Sequence, residues 1–209
     1  MKIKLNKIGK RFNEREWVFR NLEYTFDYNQ TYAITGSNGS GKSTLTQIIS
    51  GIMPATTGSI EYEYNSAPVH SDDIFQHISY AAPYLELIEE FTLKELLNFH
   101  FKFKKLCYYS SKEDLIEAMY LQDSHGKYVG NFSSGMKQRL KLGLALFSES
   151  EITILDEPTS NMDERGVEWY HGNIGKVLGK RMTIIASNQP QEYKFTNNIF
   201  SLNTRGREP

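Results

Sequence analysis

Residues 36–43 have the sequence GSNGSGKS, a G-x-x-x-x-G-K-[ST] pattern typical of loops that bind nucleotide phosphates. The three glycines allow backbone conformations with positive φ, so that N–H groups can approach an anion closely. Lys42 supplies a cation for the terminal phosphates, and Ser43 supplies a hydroxyl for Mg²⁺. An apolar strand pattern at residues 32–35 precedes the loop and a helix pattern follows it. We therefore predict a nucleotide site rather than a glycine-rich surface turn.

A second chemical candidate follows about a hundred residues later. The apolar run Ile152–Leu155 predicts a buried strand that ends in two acids, Asp156 and Glu157. A carboxylate at that point can hold Mg²⁺ together with Ser43, while its neighbour polarises an attacking water. The alternative is an acidic pair that only caps a loop.

The patterns between these motifs predict the elements that position them. Lys2–Ile8 alternates polar and apolar residues and predicts a strand, followed by a turn at Gly9–Asn13. A second strand is predicted at Trp17–Phe19, and the alternation at Leu22, Tyr24 and Phe26 completes an antiparallel β layer. Later strands are predicted at Ser59–Tyr64, His77–Ala81, Ile152–Leu155, Met182–Ala186 and Asn198–Leu202. Helices are predicted to begin after Lys42, Thr92, Ser110, Ser133 and Asp163, the last extending to Leu178.

This order of elements predicts an α/β fold. We expect a mixed or parallel sheet in the core, an N-terminal antiparallel β layer, and a helical subdomain inserted at about residues 84–135. One domain is expected to cover residues 1–203, followed by a frayed tail at residues 204–209.

Composition limits the classes of partner. The 209 residues carry 24 Lys and Arg against 25 Asp and Glu, so net charge gives no reason to expect a nucleic-acid partner. The single Cys107 excludes an internal disulfide and suits a reducing compartment. The first residues lack the apolar core of a signal peptide, and no apolar run is long enough to span a membrane. We expect a soluble, cytoplasmic chain.

The segment Asn131–Arg139, NFSSGMKQR, resembles the signature segment of ATP-binding cassette (ABC) ATPases. The segments Leu155–Ser160 and Asn161–Asp163 resemble that family's second acidic motif and the D-loop that follows it. Together with the phosphate loop, these motifs have the family's order over residues 1–203. The resemblance implies the ABC architecture, a P-loop NTPase core that uses ATP and Mg²⁺.

The resemblance also implies roles within the chain's own nucleotide site. Phe12 would stack on adenine, although an ordinary edge-strand aromatic is the alternative. Asp156 would hold Mg²⁺ with Ser43, and Glu157 would be the general base. The phosphates would be held by Gly36, Ser37, Asn38, Gly39, Ser40, Gly41, Lys42, Ser43 and Thr44.

Other roles involve a second copy of the domain. Ser133 and Gly135 would contact the γ-phosphate of ATP bound to that copy, at a helix N-terminus where an anion is favoured. Asp163 would reach across the interface between the two copies.

Two positions depart from the family pattern in a way that affects chemistry. Pro83 stands where the family has a glutamine that senses Mg²⁺ and water, and only Glu86 or a backbone carbonyl is expected to replace it. Asn188 stands where the family has a histidine that contacts the γ-phosphate, and an amide donates only a neutral hydrogen bond. The sequence thus predicts ATP binding with slow hydrolysis.

The resemblance implies the ATP-binding subunit of an ABC transporter, peripheral at the inner face of the membrane. Its partners would be an integral membrane subunit and a second nucleotide-binding domain, and its short length resembles exporter-type subunits. The alternatives are a soluble ABC ATPase that acts on ribosomes or nucleic acid, and a weakly hydrolysing member of an asymmetric pair. The run Phe99–Lys105 mixes aromatics and lysines as nucleic-acid binders do, but a helix packed on its own subdomain is favoured.

Overall fold

The computed structural model describes residues 1–202, and its N-terminal part is an antiparallel sheet of four strands in the order β2-β1-β4-β5. Its strands are β1 (Lys2–Arg11), β2 (Trp17–Phe26), β4 (Thr57–Tyr64) and β5 (Ala67–Val69). Apolar residues of β1 at period 2, such as Ile3 and Leu5, are buried. The predicted antiparallel β layer is confirmed.

The second sheet has five strands in the order β6-β7-β8-β3-β9, and neighbouring strands pair in parallel. They are β3 (Thr31–Thr35), β6 (Ile78–Ala81), β7 (Ile152–Asp156), β8 (Met182–Ala186) and β9 (Ile199–Ser201). Every residue of β7 and β8 is buried, as expected for parallel strands covered on both faces. The predicted parallel-sheet α/β core is confirmed.

Helices cover this sheet and form the segment inserted after β6. They are α1 (Lys42–Ile49), α2 (Leu93–His100), α3 (Lys112–Ala118), α4 (Ser134–Phe147), α5 (Glu164–Ile174) and α6 (Pro190–Tyr193). Thr92 and Glu95 form the predicted capping box of α2. None of the helices within residues 1–202 is both long and apolar enough to cross a membrane.

Two apolar cores lie on opposite faces of the parallel sheet. Ile154 on β7 packs in the core shared with the antiparallel sheet, while its neighbour Leu155 packs in the core shared with the inserted helices and α4. Ile184 and Ile185 on β8 divide in the same way. The alternation of side chains along each strand therefore fixes the sheet between its two layers.

Some predicted boundaries were wrong near β1 and β4. Strand β1 continues to Arg11, because Gly9 pairs with Thr57 of β4 in place of the predicted turn at Gly9–Asn13. A β-carbon at Gly9 would lie 2.5 Å from the hydroxyl oxygen of Thr57, so only glycine fits this close approach. The hairpin between β4 and β5 was not predicted.

The helix boundaries also needed correction. Helix α3 begins with a capping box at Ser111, one residue later than the predicted Ser110. Helix α5 ends at Ile174, four residues before the predicted Leu178. Helix α2 ends at His100, so that Phe103 of the aromatic and basic run is exposed. The end of the predicted domain at residue 203 and the predicted tail at residues 204–209 lie outside the described residues.

Candidate functional site

The candidate site lies where four neighbouring parallel strands end. Their order places β6, β7, β8 and β3 side by side, so that the segments after their carboxyl ends meet at one edge of the sheet. In open α/β sheets this edge is where ligands bind. The glycine-rich loop follows β3, Asp156 ends β7, Asn188 follows β8, and Tyr84 follows β6.

The glycine-rich loop has the geometry expected of a phosphate cradle. Gly39 and Gly41 have φ values of 77° and 98°, and Gly41 directly precedes the first residue of α1. The Lys42 side chain folds back over the loop, where its ammonium donates hydrogen bonds to the carbonyls of Gly36 at 3.0 Å and Ser37 at 3.3 Å. A flexible cation and the start of a helix thus lie at the same loop.

One cavity of about 330 Å³ joins this loop to residues distant in sequence. The ring of Phe12 is 66% exposed at the cavity, so one aromatic face is available for stacking. Apart from Val18, every lining residue was predicted from the sequence: Phe12, Asn38, Gly39, Gly41, Lys42, Ser43, Thr44 and Glu157. The cavity has the composition required to bind a base, a chain of phosphates and a water.

Asp156 is buried beside this cavity at the end of β7, with 1% of its surface exposed. Its Oδ2 atom accepts a hydrogen bond of 3.0 Å from the Tyr84 hydroxyl, whereas Oδ1 has no hydrogen-bond partner among the described residues. Burial raises the pKa of Asp156, and hydrogen bonds from Ser43 and Tyr84 partly oppose that increase. One oxygen of Asp156 therefore has no partner among the described residues.

These two residues fit a magnesium ion. Mg²⁺ prefers oxygen ligands and is commonly held by one or two protein groups together with phosphates and water. A hydroxyl and a buried carboxylate with an unpartnered oxygen meet that requirement. Within residues 1–202 there is no group of three or more His, Cys, Asp or Glu residues arranged to hold a metal. The remaining ligands would therefore come from a nucleotide and from water.

Glu157 has a left-handed backbone conformation, with φ of 42°. For a residue with a side chain this costs about 1–3 kcal/mol, and such strain persists only where surrounding contacts hold it. Here the Glu157 N–H donates a hydrogen bond of 2.8 Å to the Ala186 carbonyl of β8. The strained backbone turns the chain out of β7, so that Glu157 lines the cavity.

Two buried contacts hold the segment that follows Glu157. The Gln138 side chain donates to the Pro158 carbonyl at 2.9 Å, which joins α4 to this segment. Glu192 of α6 is fully buried and accepts hydrogen bonds from the backbone N–H and the hydroxyl of Thr159. The sequence analysis did not identify Gln138 or Glu192, because their partners lie far along the chain.

Asn188, in the segment after β8, contacts the phosphate loop. Its side-chain amide donates a hydrogen bond of 2.9 Å to Oδ1 of Asn38. Both side chains are exposed to solvent. The asparagine therefore bridges the segment after β8 to the phosphate loop.

The three residues predicted to contact a second copy do not line this cavity. Ser133 is exposed and caps α4 by accepting a hydrogen bond of 3.2 Å from the Met136 N–H. Gly135 follows it in the first turn of α4. Asp163 is exposed and caps α5 by accepting a hydrogen bond of 2.8 Å from the Gly166 N–H. Gly36, Ser37 and Ser40 likewise do not line the cavity but form the body of the loop.

The expectation for the segment after β6 needs correction. The Pro83 carbonyl accepts a hydrogen bond of 2.6 Å from Lys141, and Glu86 is exposed and does not line the nucleotide cavity. Instead, the adjacent Tyr84 directs its hydroxyl to Asp156. A hydroxyl-bearing residue directly after the proline was the available signal.

Comparisons with known proteins agree with this geometry. The family model described as ABC transporter matches residues 19–160. Over 176 residues the chain is 32% identical to the uncharacterized ABC transporter ATP-binding protein YybJ of Bacillus subtilis. This match covers 84% of this chain and 80% of that protein. The chain is 27% identical to the Nod factor export ATP-binding protein I of Burkholderia lata, covering 88% of this chain and 61% of that relative.

Among solved structures, the dimeric post-hydrolysis state of the ATP-binding cassette MJ0796 bound to ADP and Pi superposes with a TM-score of 0.82. The match covers 99% of this chain and 97% of that one at 19% identity, which supports the fold. Together with the family model and the relatives, it defines the class of protein. The chain belongs to the ABC transporter family of ATP-binding proteins.

The two left-handed glycines of the loop provide a test of its geometry. A β-carbon at Gly41 would lie 2.5 Å from a Val18 methyl and 3.0 Å from the Phe19 ring, whereas one at Gly39 would meet nothing within 4 Å. We expect Gly39→Ala to lower the free energy of unfolding by about 1–2 kcal/mol, the cost of a left-handed L-residue. Gly41→Ala should lower the free energy of unfolding by about 1–3 kcal/mol more than Gly39→Ala does, because its β-carbon also overpacks the site. Urea denaturation without ligand measures both, and equal losses would contradict the loop geometry.

Proposed function

We propose that this chain is the ATP-binding and ATP-hydrolysing subunit of an ABC transporter. The observation that carries the proposal is the single cavity lined by Phe12, the phosphate loop and Glu157, with Asp156 buried at its side. An exposed ring, a set of backbone donors with a cation, a metal site and a carboxylate base form the sequence of groups that Mg-ATP requires.

In this proposal the chain's residues divide the work along the nucleotide. Phe12 stacks on adenine, and the loop from Gly36 to Thr44 donates N–H groups to the phosphates. Lys42 leaves the two loop carbonyls that now hold it and pairs with the β- and γ-phosphates. Ser43 and Asp156 would hold Mg²⁺, which would supply positive charge close to the phosphates. Glu157 orients the attacking water and accepts its proton.

The second copy is proposed because the remaining motif residues do not line their own cavity. Ser133 and Gly135 lie at the N-terminus of α4, where the helix dipole favours the γ-phosphate of a nucleotide on another molecule. Asp163 lies on the exposed surface at the start of α5 and would contact the other copy. The solved ATP-binding cassette of the same fold is described as a dimer, which supports the pairing of two such domains. ATP would thus join two domains head to tail, and hydrolysis would release them.

We further propose that this motion drives a separate integral membrane subunit, with the chain peripheral at the inner face of the membrane. The export function in the name of one relative favours an exporter. The net charge of −1 gives no support to a nucleic-acid partner. The asymmetric pair with a weakly hydrolysing member remains the second candidate, because Pro83 and Asn188 replace the expected glutamine and histidine.

The head-to-tail dimer is tested with hydrolysis blocked by Glu157→Gln. We expect this variant to be monomeric without nucleotide and dimeric with Mg-ATP, because ATP then bridges two copies and is not consumed. Adding Ser133→Arg should abolish the dimer by filling the surface at the start of α4. Light scattering measures the mass of each variant. Equilibrium binding should show that the monomer has the same ATP affinity with and without Ser133→Arg.

A matched control for that test is Ser110→Arg, which adds the same side chain at another exposed serine outside the motif. It should leave the ATP-dependent dimer intact. A Glu157→Gln chain that stays monomeric with saturating Mg-ATP at high protein concentration would contradict self-association and favour the asymmetric pair.

The hydrolysis rate is tested at Asn188. We expect slow turnover in the wild type, because a neutral amide stabilises a developing charge less than an imidazole does. Asn188→His should raise the single-turnover rate by about 10-fold or more, since one such donor is worth about 10²–10³ in rate. ATP affinity should be unchanged because the loop supplies most of the ground-state contacts. Fast turnover in the wild type together with slower turnover in Asn188→His would instead make Asn188 part of an adapted mechanism.

A further inference from the structure

The hydroxyl of Tyr84 connects the segment after β6 to the proposed metal site. It donates its single proton to Oδ2 of Asp156 at 3.0 Å, in a part-buried position. An ionised carboxylate can only accept, so this bond requires the tyrosine as donor. It engages Oδ2 and leaves Oδ1 of Asp156 without a partner among the described residues.

A series of hydroxyls continues from Tyr84 to the other proposed metal ligand. The Tyr84 hydroxyl contacts the hydroxyl of Tyr80, which lies on β6. The Tyr80 hydroxyl lies 3.0 Å from the hydroxyl of Thr46 on α1. Thr46 in turn donates a hydrogen bond of 2.9 Å to the backbone carbonyl of Ser43. Because Tyr84 and Thr46 both donate away from Tyr80, the single Tyr80 proton can serve only one of these two neighbours. The hydroxyls are therefore a packed set between Asp156 and the backbone of Ser43, not a continuous hydrogen-bonded chain.

This arrangement constrains the Asp156 carboxylate through Tyr84, whereas at Ser43 it contacts the backbone carbonyl and not the hydroxyl. Tyr80 is largely buried, and burial raises the pKa of its hydroxyl well above the usual range, so the phenol stays neutral and acts as donor or acceptor. Groups in contact with metal ligands commonly fix ligand orientation, and their loss typically weakens metal binding about 10–100-fold. Tyr84 is the only member of the series that belongs to the segment after β6.

We propose that Tyr84 is a positioning residue for the Mg²⁺ site, which orients Asp156 so that Oδ1 faces the cation. This inference rests on the proposed function, since it requires that the site bind Mg-ATP. Tyr84 thereby links the segment after β6 to the metal, at the place where Pro83 has no side chain able to do so. Tyr84 does not line the nucleotide cavity, so its proposed role is separate from holding the nucleotide.

The test is Tyr84→Phe, which removes one oxygen atom and keeps the ring. Tyr84 is 45% exposed, so the substitution leaves the core intact. Binding of trinitrophenyl-ATP to the full chain is measured in EDTA and over a series of Mg²⁺ concentrations, with Glu157→Gln present to prevent hydrolysis. We expect unchanged affinity in EDTA, because the loop contacts remain. We expect the Mg²⁺ concentration for half-maximal response to rise about 10-fold.

The control is Tyr28→Phe. Its hydroxyl also hydrogen-bonds a carboxylate, that of Glu63, but it precedes β3 and so lies at the other end of the sheet. This variant should have the Mg²⁺ dependence of the parent. An unchanged Mg²⁺ dependence in Tyr84→Phe would overturn the inference, as would an equal loss of affinity with and without Mg²⁺, which indicates a general structural role. If the parent binds no nucleotide in either condition, the proposed function itself fails and the inference fails with it.

Discussion

The buried carboxylate of Asp156 is the constraint on which the rest of the site depends. A charged group at the end of a fully buried strand is costly unless it has hydrogen-bond or ionic partners. The fold supplies hydrogen bonds from Ser43 and Tyr84, from the segments after two other strands of the sheet. One oxygen remains without a partner among the described residues. A cation at that oxygen would complete the compensation, so stability and metal binding are joined at the same atom.

The parallel sheet makes this compensation possible by bringing distant segments to one edge. Asn188 and Asn38 are 150 residues apart and share a hydrogen bond of 2.9 Å, because β8 and β3 are adjacent in the sheet. The strained backbone of Glu157 depends on the same adjacency, since its N–H bonds to Ala186 of β8. The two cores hold the strands at fixed spacing, so the segments that follow them start from fixed positions.

The sequence was sufficient for the parts of the site that local patterns encode. The phosphate loop and the acids after β7 could be predicted because spacing and neighbouring apolar runs specify them. The contacts of Tyr84 with Asp156 and of Glu192 with Thr159 join residues 72 and 33 positions apart, and single-sequence patterns hold no information on them. The β1 boundary was missed for a related reason, since Gly9 stays in the strand only because β4 pairs with it.

The cavity beside Asp156 is proposed to bind Mg-ATP through the phosphate loop. Isothermal titration of ATP in the presence of Mg²⁺ tests this directly, with wild type, Lys42→Ala and a control at the exposed Lys105, Lys105→Ala. We expect saturable one-to-one binding to wild type and the control, and loss or near loss of binding in Lys42→Ala, because the alanine removes the cation that pairs with the terminal phosphates. Wild-type affinity in Lys42→Ala would contradict it.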